Sequence, residues 1–335
     1  MPQPTRRPTV RDVARVAGVS AQSVSRVVNN RPGVSDATRE QILHVMADLG
    51  YSPNRAAQTL ASQRSNLLEV ITMDIYYSGP FKEVVSAAAR QRGYHVMFSA
   101  VTAADFAPAL DNAAARSVDG LILIPSMPEL NVSDEVLTEM CHGIPFVQVA
   151  TAVGARVPSV VCDQRFGAQL AVEHLIELGH TRIAEIRGPH DVLDANLRHE
   201  GWLATLRNHS LQPGPSETGT FRVASGYDAM MRLLDHGEPF TGVFIGNDEM
   251  AMGALHALRE RGLAVPKDIS IVGFDNVEHT PFYAPPLTTV FQDFHTMGEL
   301  VVEYLVALIE QPKTPRYQRV LTPKLIVRQS TCRAT

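Results

Sequence analysis

Near the start of the chain, apolar residues recur at helical spacing in two short runs with polar residues between them. Val13, Ala14 and Ala17 form one stripe and Val24, Val27 and Val28 the other, so each run has a face to bury and can bury it against its neighbour. Thr9 followed by Asp12 is a capping-box-like start, Gly18 supplies the left-handed residue that ends the first helix, and Ser20 caps the second. The spacing predicts two short helices at a steep angle, a helix-turn-helix, with Gln22, Ser23 and Arg26 pointing away from the shared stripe. Such a second helix presents its polar face to the major groove, where Gln pairs with adenine and Arg with guanine at roughly 1–3 kcal/mol of discrimination each. The alternative reading of the same pattern is a plain helical hairpin with a solvated face.

Residues 30–34 read as a loop, and Ser35 with Asp36 opens a third helix running to about Leu49, with Ile42, Val45, Met46 and Leu49 as its stripe. Gly50-Tyr51-Ser52-Pro53 stops it. Residues 54–61 have helix-forming composition but fall short of the ~12–15 residues an isolated helix needs. From Leu67 short apolar runs alternate with amphipathic stretches. Strands are predicted near 68–73, 94–100, 121–124, 145–149, 182–186, 242–245 and 270–274, and helices near 82–92, 132–141, 167–178, 196–208, 226–236, 247–261 and 295–310. This alternation implies parallel sheets with helices on both faces.

The resulting fold class is an all-α headpiece followed by an α/β core of two Rossmann-like lobes. The expected division is a headpiece at 1–53, a short helix and linker at 54–66, and a core at 67–335. Within the core the first lobe takes about 67–158 plus 291–322, and the second about 161–290 plus 323–335.

Composition sharpens this picture. A chain of 335 residues with 45% hydrophobic and 19% charged residues has ample material for a buried core. The net charge of −5 hides an asymmetry: residues 1–66 carry nine arginines against four acidic residues, a local net of +5. A basic head on an acidic body suits a polyanion at one end only. Cys141, Cys162 and Cys332 lack the spacing of a zinc site or disulfide framework. No segment approaches the ~18 apolar residues of a membrane span, and no signal peptide is evident. A soluble cytoplasmic protein without cofactor, metal or membrane partner is expected.

The run Asp12-Val13-Ala14, Ala17-Gly18-Val19-Ser20 and Val24-Ser25-Arg26-Val27, closing on Asn29, resembles the signature of the lactose-repressor family of bacterial transcription regulators. Further matches include Val172-Glu173-His174-Leu175, Gly188-Pro189, Arg198-His199-Glu200-Gly201-Trp202, Asn247-Asp248-Glu249-Met250-Ala251, Val272-Gly273-Phe274-Asp275 and Pro286-Leu287-Thr288-Thr289. The resemblance therefore spans nearly the whole chain. It implies a homodimer on a palindromic operator, with Gln22 and Arg26 at base edges and Ser20, Ala21 and Ser23 beside them. Asn29, Ser35, Thr38 and Tyr51 would position the DNA backbone. It also implies that 54–61 is a hinge helix that folds on DNA, in which Asn54, Ala57 and Leu60 match the pattern and Leu60 acts as a minor-groove wedge.

In open parallel sheets ligands sit beyond the carboxyl ends of the strands. Asp74, Asn247 with Asp248, and Asp275 each follow a predicted strand, and Arg198, at the start of a helix, can share the cleft. A carboxylate, an amide and a guanidinium suit vicinal hydroxyls, and Phe221 and Phe294 can cover a sugar ring. The resemblance places Arg198, Asn247, Asp275 and Phe294 at effector-contacting positions and Phe221 where sugar-binding members carry an aromatic. Asn247 also reads as a plain helix cap. Two departures stand out: the 74–94 segment is about one helical turn shorter than in relatives, and Ala150 replaces an acidic or amide residue.

These readings predict a repressor released from its operator by a sugar or related small molecule. A purine-type corepressor is the alternative. A hydrolase using Asp248 and Asp275 finds no support in a nucleophile elbow, P-loop or metal motif. An exported solute-binding protein fits neither the basic headpiece nor the missing signal peptide.

Overall fold

The computed structural model describes residues 8–28, 31–51, 64–73, 80–125 and 133–334. The chain divides into two compact units, Met1–Asn66 and Leu67–Thr335.

The first unit contains α1 (Val10–Ala17), α2 (Ala21–Val28) and α3 (Asp36–Asp48). The capping box forms: Thr9 N donates to Asp12 Oδ2 at 2.9 Å and Asp12 N donates to Thr9 Oγ1 at 3.4 Å. Gly18 ends α1 at φ +66°, Ser20 Oγ accepts from Ser23 N at 3.1 Å, and Ser35 Oγ accepts from Thr38 N at 3.3 Å. Val13, Ala14, Ala17, Val24, Val27 and Ile42 are buried together. Gln41 Nε2 on α3 donates to Ala17 O at 3.0 Å, covering a carbonyl left open at the end of α1.

The second unit is built on two six-stranded sheets. The first holds β1 (Leu67–Thr72), β2 (His95–Ala100), β3 (Gly120–Ile124), β4 (Phe146–Gln148), β5 (Ser159–Cys162) and β11 (Gln318–Leu321), in the spatial order β11-β5-β4-β3-β1-β2, all parallel. The second holds β6 (Ile183–Arg187), β7 (Ser216–Thr218), β8 (Gly242–Ile245), β9 (Ser270–Asp275), β10 (Thr288–Phe291) and β12 (Lys324–Ile326), in the order β12-β10-β9-β8-β6-β7, with only β12 antiparallel.

Side chains alternate between faces along each strand. In the first sheet Leu68, Val70, Ile122 and Ile124 pack against α4 (Pro80–Gln91) and α11 (Phe294–Glu310), while Ile71, Leu121 and Leu123 pack against α5 (Phe106–Ala115) and α6 (Asp134–Met140). In the second, Ile186, Val243, Ile245 and Ile271 face α9 (Val223–Asp235) and α10 (Asp248–Glu260). Its other face, with Phe244, Val272 and Phe274, meets α7 (Gln164–Glu177) and α8 (Leu193–Asn208).

The chain crosses between the sheets three times: after Cys162, after Phe291, and between Leu321 and Lys324. Because β5 runs through Cys162 within the first sheet, the first crossing lies just beyond the 158–161 expected from the sequence. The helix α5 is not among those the sequence pattern predicted. Pro108 is only the third residue of α5, where backbone N–H groups have no intrahelical acceptor in any case. The strands β5, β7, β10, β11 and β12, each three or four residues long, are not among those predicted, although the equally short β4 and β8 are.

Candidate functional sites

In the headpiece the exposed side of α2 carries Ala21, Gln22 and Arg26, and Ser20 is exposed just before it. Ser23 is half-buried, its hydroxyl 2.9 Å from that of Ser20, so both are engaged in capping. Among the described residues the Arg26 guanidinium makes one long contact, Nη1 donating to Gly33 O at 3.4 Å, which tethers it loosely to the loop before α3. Ser35 and Thr38 join their hydroxyls at 2.8 Å at the start of α3. Tyr51 is half-buried against the headpiece core, and burial raises its phenol pKa. Asn29, Asn54, Ala57 and Leu60 lie outside the described residues, as does Asp74 of the predicted effector set.

In the core, Arg198 lies in the second turn of α8 rather than at its start, and is 5% exposed. Its Nε donates to Gln164 Oε1 at 2.9 Å, its Nη1 donates to Gly246 O, and its Nη2 is 3.4 Å from Asp275 Oδ1. Asp275 is the last residue of β9, not the residue after it. Burial pushes its carboxyl up to about 6, against the opposing pull of Arg198 and of the hydrogen bond from Gln292 Nε2 at 2.7 Å.

Asn247 caps α10: its Oδ1 accepts from Met250 N at 2.9 Å, and its Nδ2 donates to Phe221 O at 3.1 Å. The cap reading therefore holds for its side chain, which also ties down Phe221. Phe221 is buried, with its ring packed over Gly188, where any Cβ would collide with it. Phe294 begins α11 and is half-buried against the first sheet's core, two residues beyond Gln292. Ala150 is buried and its carbonyl accepts from Gln148 Nε2 at 3.3 Å, so Gln148 turns back onto its own strand end.

Phe221, Asp275 and Asn276 all take positive φ, at +61°, +107° and +54°. Non-glycine residues held there cost of order 1–3 kcal/mol each and collect at functional sites. Asp248 holds part of this backbone in place. It is fully buried, its Oδ1 accepts from Thr289 Oγ1 at 2.6 Å, and its Oδ2 accepts from Val277 N at 3.0 Å. Burial raises its carboxyl well above the ordinary range, and the charge of Asp275 acts in the same direction. Asp248 is thus a structural brace under the 275–277 turn, without the open, solvent-reachable position a paired-carboxylate mechanism needs.

Gln164 and Gln292 join this site although nothing in their local pattern singles them out. Both are 3% exposed, and Gln164 Nε2 donates to Gln292 Oε1 at 2.8 Å. Each follows a short strand, so the rule that finds residues beyond strand ends would have reached them had β5 and β10 been recognised. His180 bridges Thr241 Oγ1 at 2.8 Å and Cys332 O at 3.1 Å, and so holds the C-terminal segment. Among the described residues no group of three or more His, Cys, Asp or Glu is placed to hold a metal. Nor is any described helix long and apolar enough to cross a membrane.

Comparison with known proteins assigns both units. Residues 9–54 match the bacterial regulatory proteins of the lacI family, and residues 172–331 match a periplasmic binding protein-like domain. The chain is 37% identical over 329 residues to the lactose operon repressor of Escherichia coli (strain K12), covering 96% of this chain and 90% of the relative. It is 33% identical over 333 residues to the ribose operon repressor of the same strain, covering 96% and 99%. A solved structure of the lac repressor dimer bound to operator and the anti-inducer ONPF is similar with a TM-score of 0.90 at 35% identity, covering 98% of this chain and 100% of that one. With a DNA-binding headpiece and a periplasmic-binding-type core matched in order and across nearly the whole length, the chain belongs to the lacI family of bacterial transcription regulators.

Proposed function

We propose that this chain is a repressor that binds a palindromic operator as a homodimer and is released by a sugar or sugar-like effector held at Arg198, Asp275 and Phe221. The observation that carries the DNA reading is the division of α2, which buries Val24 and Val27 while leaving Gln22 and Arg26 exposed. The relatives that lead the comparison repress operons named for sugars, which favours a sugar over a nucleoside. The headpiece comprises 1–53, the hinge 54–66 and the effector core 67–335. On this reading the protein works in the cytoplasm, where the DNA is, and turns over no substrate.

The self-association face includes Phe282, which is 84% exposed, in the short 3-10 turn Thr280–Phe282 that follows the Glu249–His279 pair. Two copies are needed because one headpiece covers too little DNA for tight specific binding. Effector and operator communicate through the hinge. Residues 54–61 are too short to hold a helix unaided, so their folding draws on DNA and on the second copy. Leu60→Ala would then weaken operator binding.

Selection of bound duplexes from a randomised pool, followed by a thermal-shift screen of sugars and nucleosides, tests this reading. Recovery of a two-fold symmetric sequence whose binding falls when a stabilising sugar is added is the expected result. Stabilisation by a nucleoside that tightens DNA binding would replace it with corepression. A pool showing no sequence preference would overturn it.

A further inference from the structure

Two of the three crossings between the sheets meet side chain to side chain. At the first, Asp163 caps α7 and Gln164 follows it; at the second, Gln292 precedes Asp293, which caps α11. The buried amides of Gln164 and Gln292 bond to each other, and their remaining ends reach Arg198 and Asp275. With the Arg198–Asp275 contact at 3.4 Å these four side chains close a ring.

The chemistry of the end members fixes the direction of every bond in it. Arginine has no acceptor, so Gln164 must turn its oxygen to Arg198 and its NH₂ to Gln292. Gln292 must then turn its oxygen back to Gln164 and its NH₂ onward to the Asp275 carboxylate. Neither amide can flip without setting donor against donor or acceptor against acceptor, which makes the ring a polarised relay.

We propose that Gln164 and Gln292 are positioning residues that latch the two crossings together and aim Arg198 and Asp275, so that any ligand taking the Arg198 Nε–H or the Asp275 carboxylate frees an amide at the junction of the lobes. The consequence for ligands rests on the assignment of the effector site to Arg198 and Asp275. The latch itself does not, and it is tested on ligand-free protein, so the two ideas fail separately.

The test is amide hydrogen exchange on the full chain, read at Phe166, Gly167, Phe294, Thr296 and Met297, whose N–H groups all bond within one of the two crossings. Gln164→Met and Gln292→Met, which keep volume but not polarity, should each speed exchange at both crossings about tenfold, and the double variant no further. Gln164→Glu places its charge beside Arg198, whereas Gln292→Glu places its charge beside Asp275, so the second should loosen the crossings more than the first. Exchange in the interiors of β3 and β8 reports that the fold persists. Should a Met variant lose protection there as well, the order of the two nearly isosteric Glu variants decides. Parent-like exchange in a folded Met variant, effects that add in the double variant, or equal behaviour of the two Glu variants would overturn the latch.

Discussion

The guanidinium of Arg198 lies over the ring of Phe274, 3.9 Å from its centre. A planar cation that stacks on an aromatic face and also contacts a carboxylate uses its shape as well as its charge, and lysine has neither the plane nor the fork of donors. Arg198→Lys is therefore expected to destabilise the ligand-free core by about 2 kcal/mol in urea unfolding. It should also erase the thermal shift produced by any sugar that stabilises the parent. A full shift retained in the variant would remove Arg198 from the site.

The Asp275 carboxyl titrates near 6 in the folded protein, above its ordinary 3.8. Between these values the native state holds more of this proton than the unfolded state does, so the group's contribution to stability is greatest below the lower value. It declines as pH rises through 6. Asp275→Asn cannot titrate, so the variant should gain on the parent by about 1 kcal/mol between pH 5 and 7.5. Unfolding midpoints measured in parallel across that range check it; a constant difference would mean that Asp275 is charged throughout.

Phe282 exposes 84% of its surface beside the well-buried Tyr283. Replacing it with a charge at a two-fold interface removes two apolar side chains per dimer, each contributing about 1.5–3 kcal/mol when buried. Phe282→Asp should weaken self-association by roughly 10²–10⁴-fold. Sedimentation velocity over a concentration series will detect this as a shift to monomer, and an unchanged profile would put the interface elsewhere.

Among the described residues the Arg26 guanidinium is held by a long 3.4 Å contact to Gly33 O, so turning toward a base costs it little. Arg26→Ala should relax preference at one base pair per half-site at a cost of roughly 1–3 kcal/mol per lost contact. Binding selections with parent and variant headpieces give the comparison, and identical sequence profiles would mean that α2 does not read the groove through this residue.

Where one face of an element was apolar and the other polar, the sequence was legible. The headpiece helices, with Thr9, Gly18, Ser20 and Ser35 at their ends, and the five- and six-residue strands could be read directly, because local punctuation and burial agree there. The site was only half legible. Arg198 and Asp275 carry charge and Asn247 follows a strand that was recognised, and the structure brings Arg198 and Asp275 together while using the Asn247 amide as a cap and as a tie to Phe221. Gln164 and Gln292 are uncharged, sit 128 residues apart in sequence, and follow four-residue strands whose partners come from distant parts of the chain. Nothing local marks such a pair, since its meaning arises only when two crossings are brought side by side.

The order in which the chain supplies its first sheet bears on how the protein is made. Five strands of that sheet have left the ribosome by Cys162, yet α11, which covers one face, and β11, which pairs with β5, arrive only with residues 294–321. Until then Leu68, Val70, Ile122 and Ile124 lack half their cover and β5 has an open edge, the kind of surface that recruits chaperones or other nascent chains. The headpiece can fold as soon as it emerges, and the second sheet nearly completes itself in one continuous stretch. A truncation just after Phe291 should therefore damage the part of the core synthesised first, which loses both α11 and β11, more than the part synthesised last, which keeps five of its six strands.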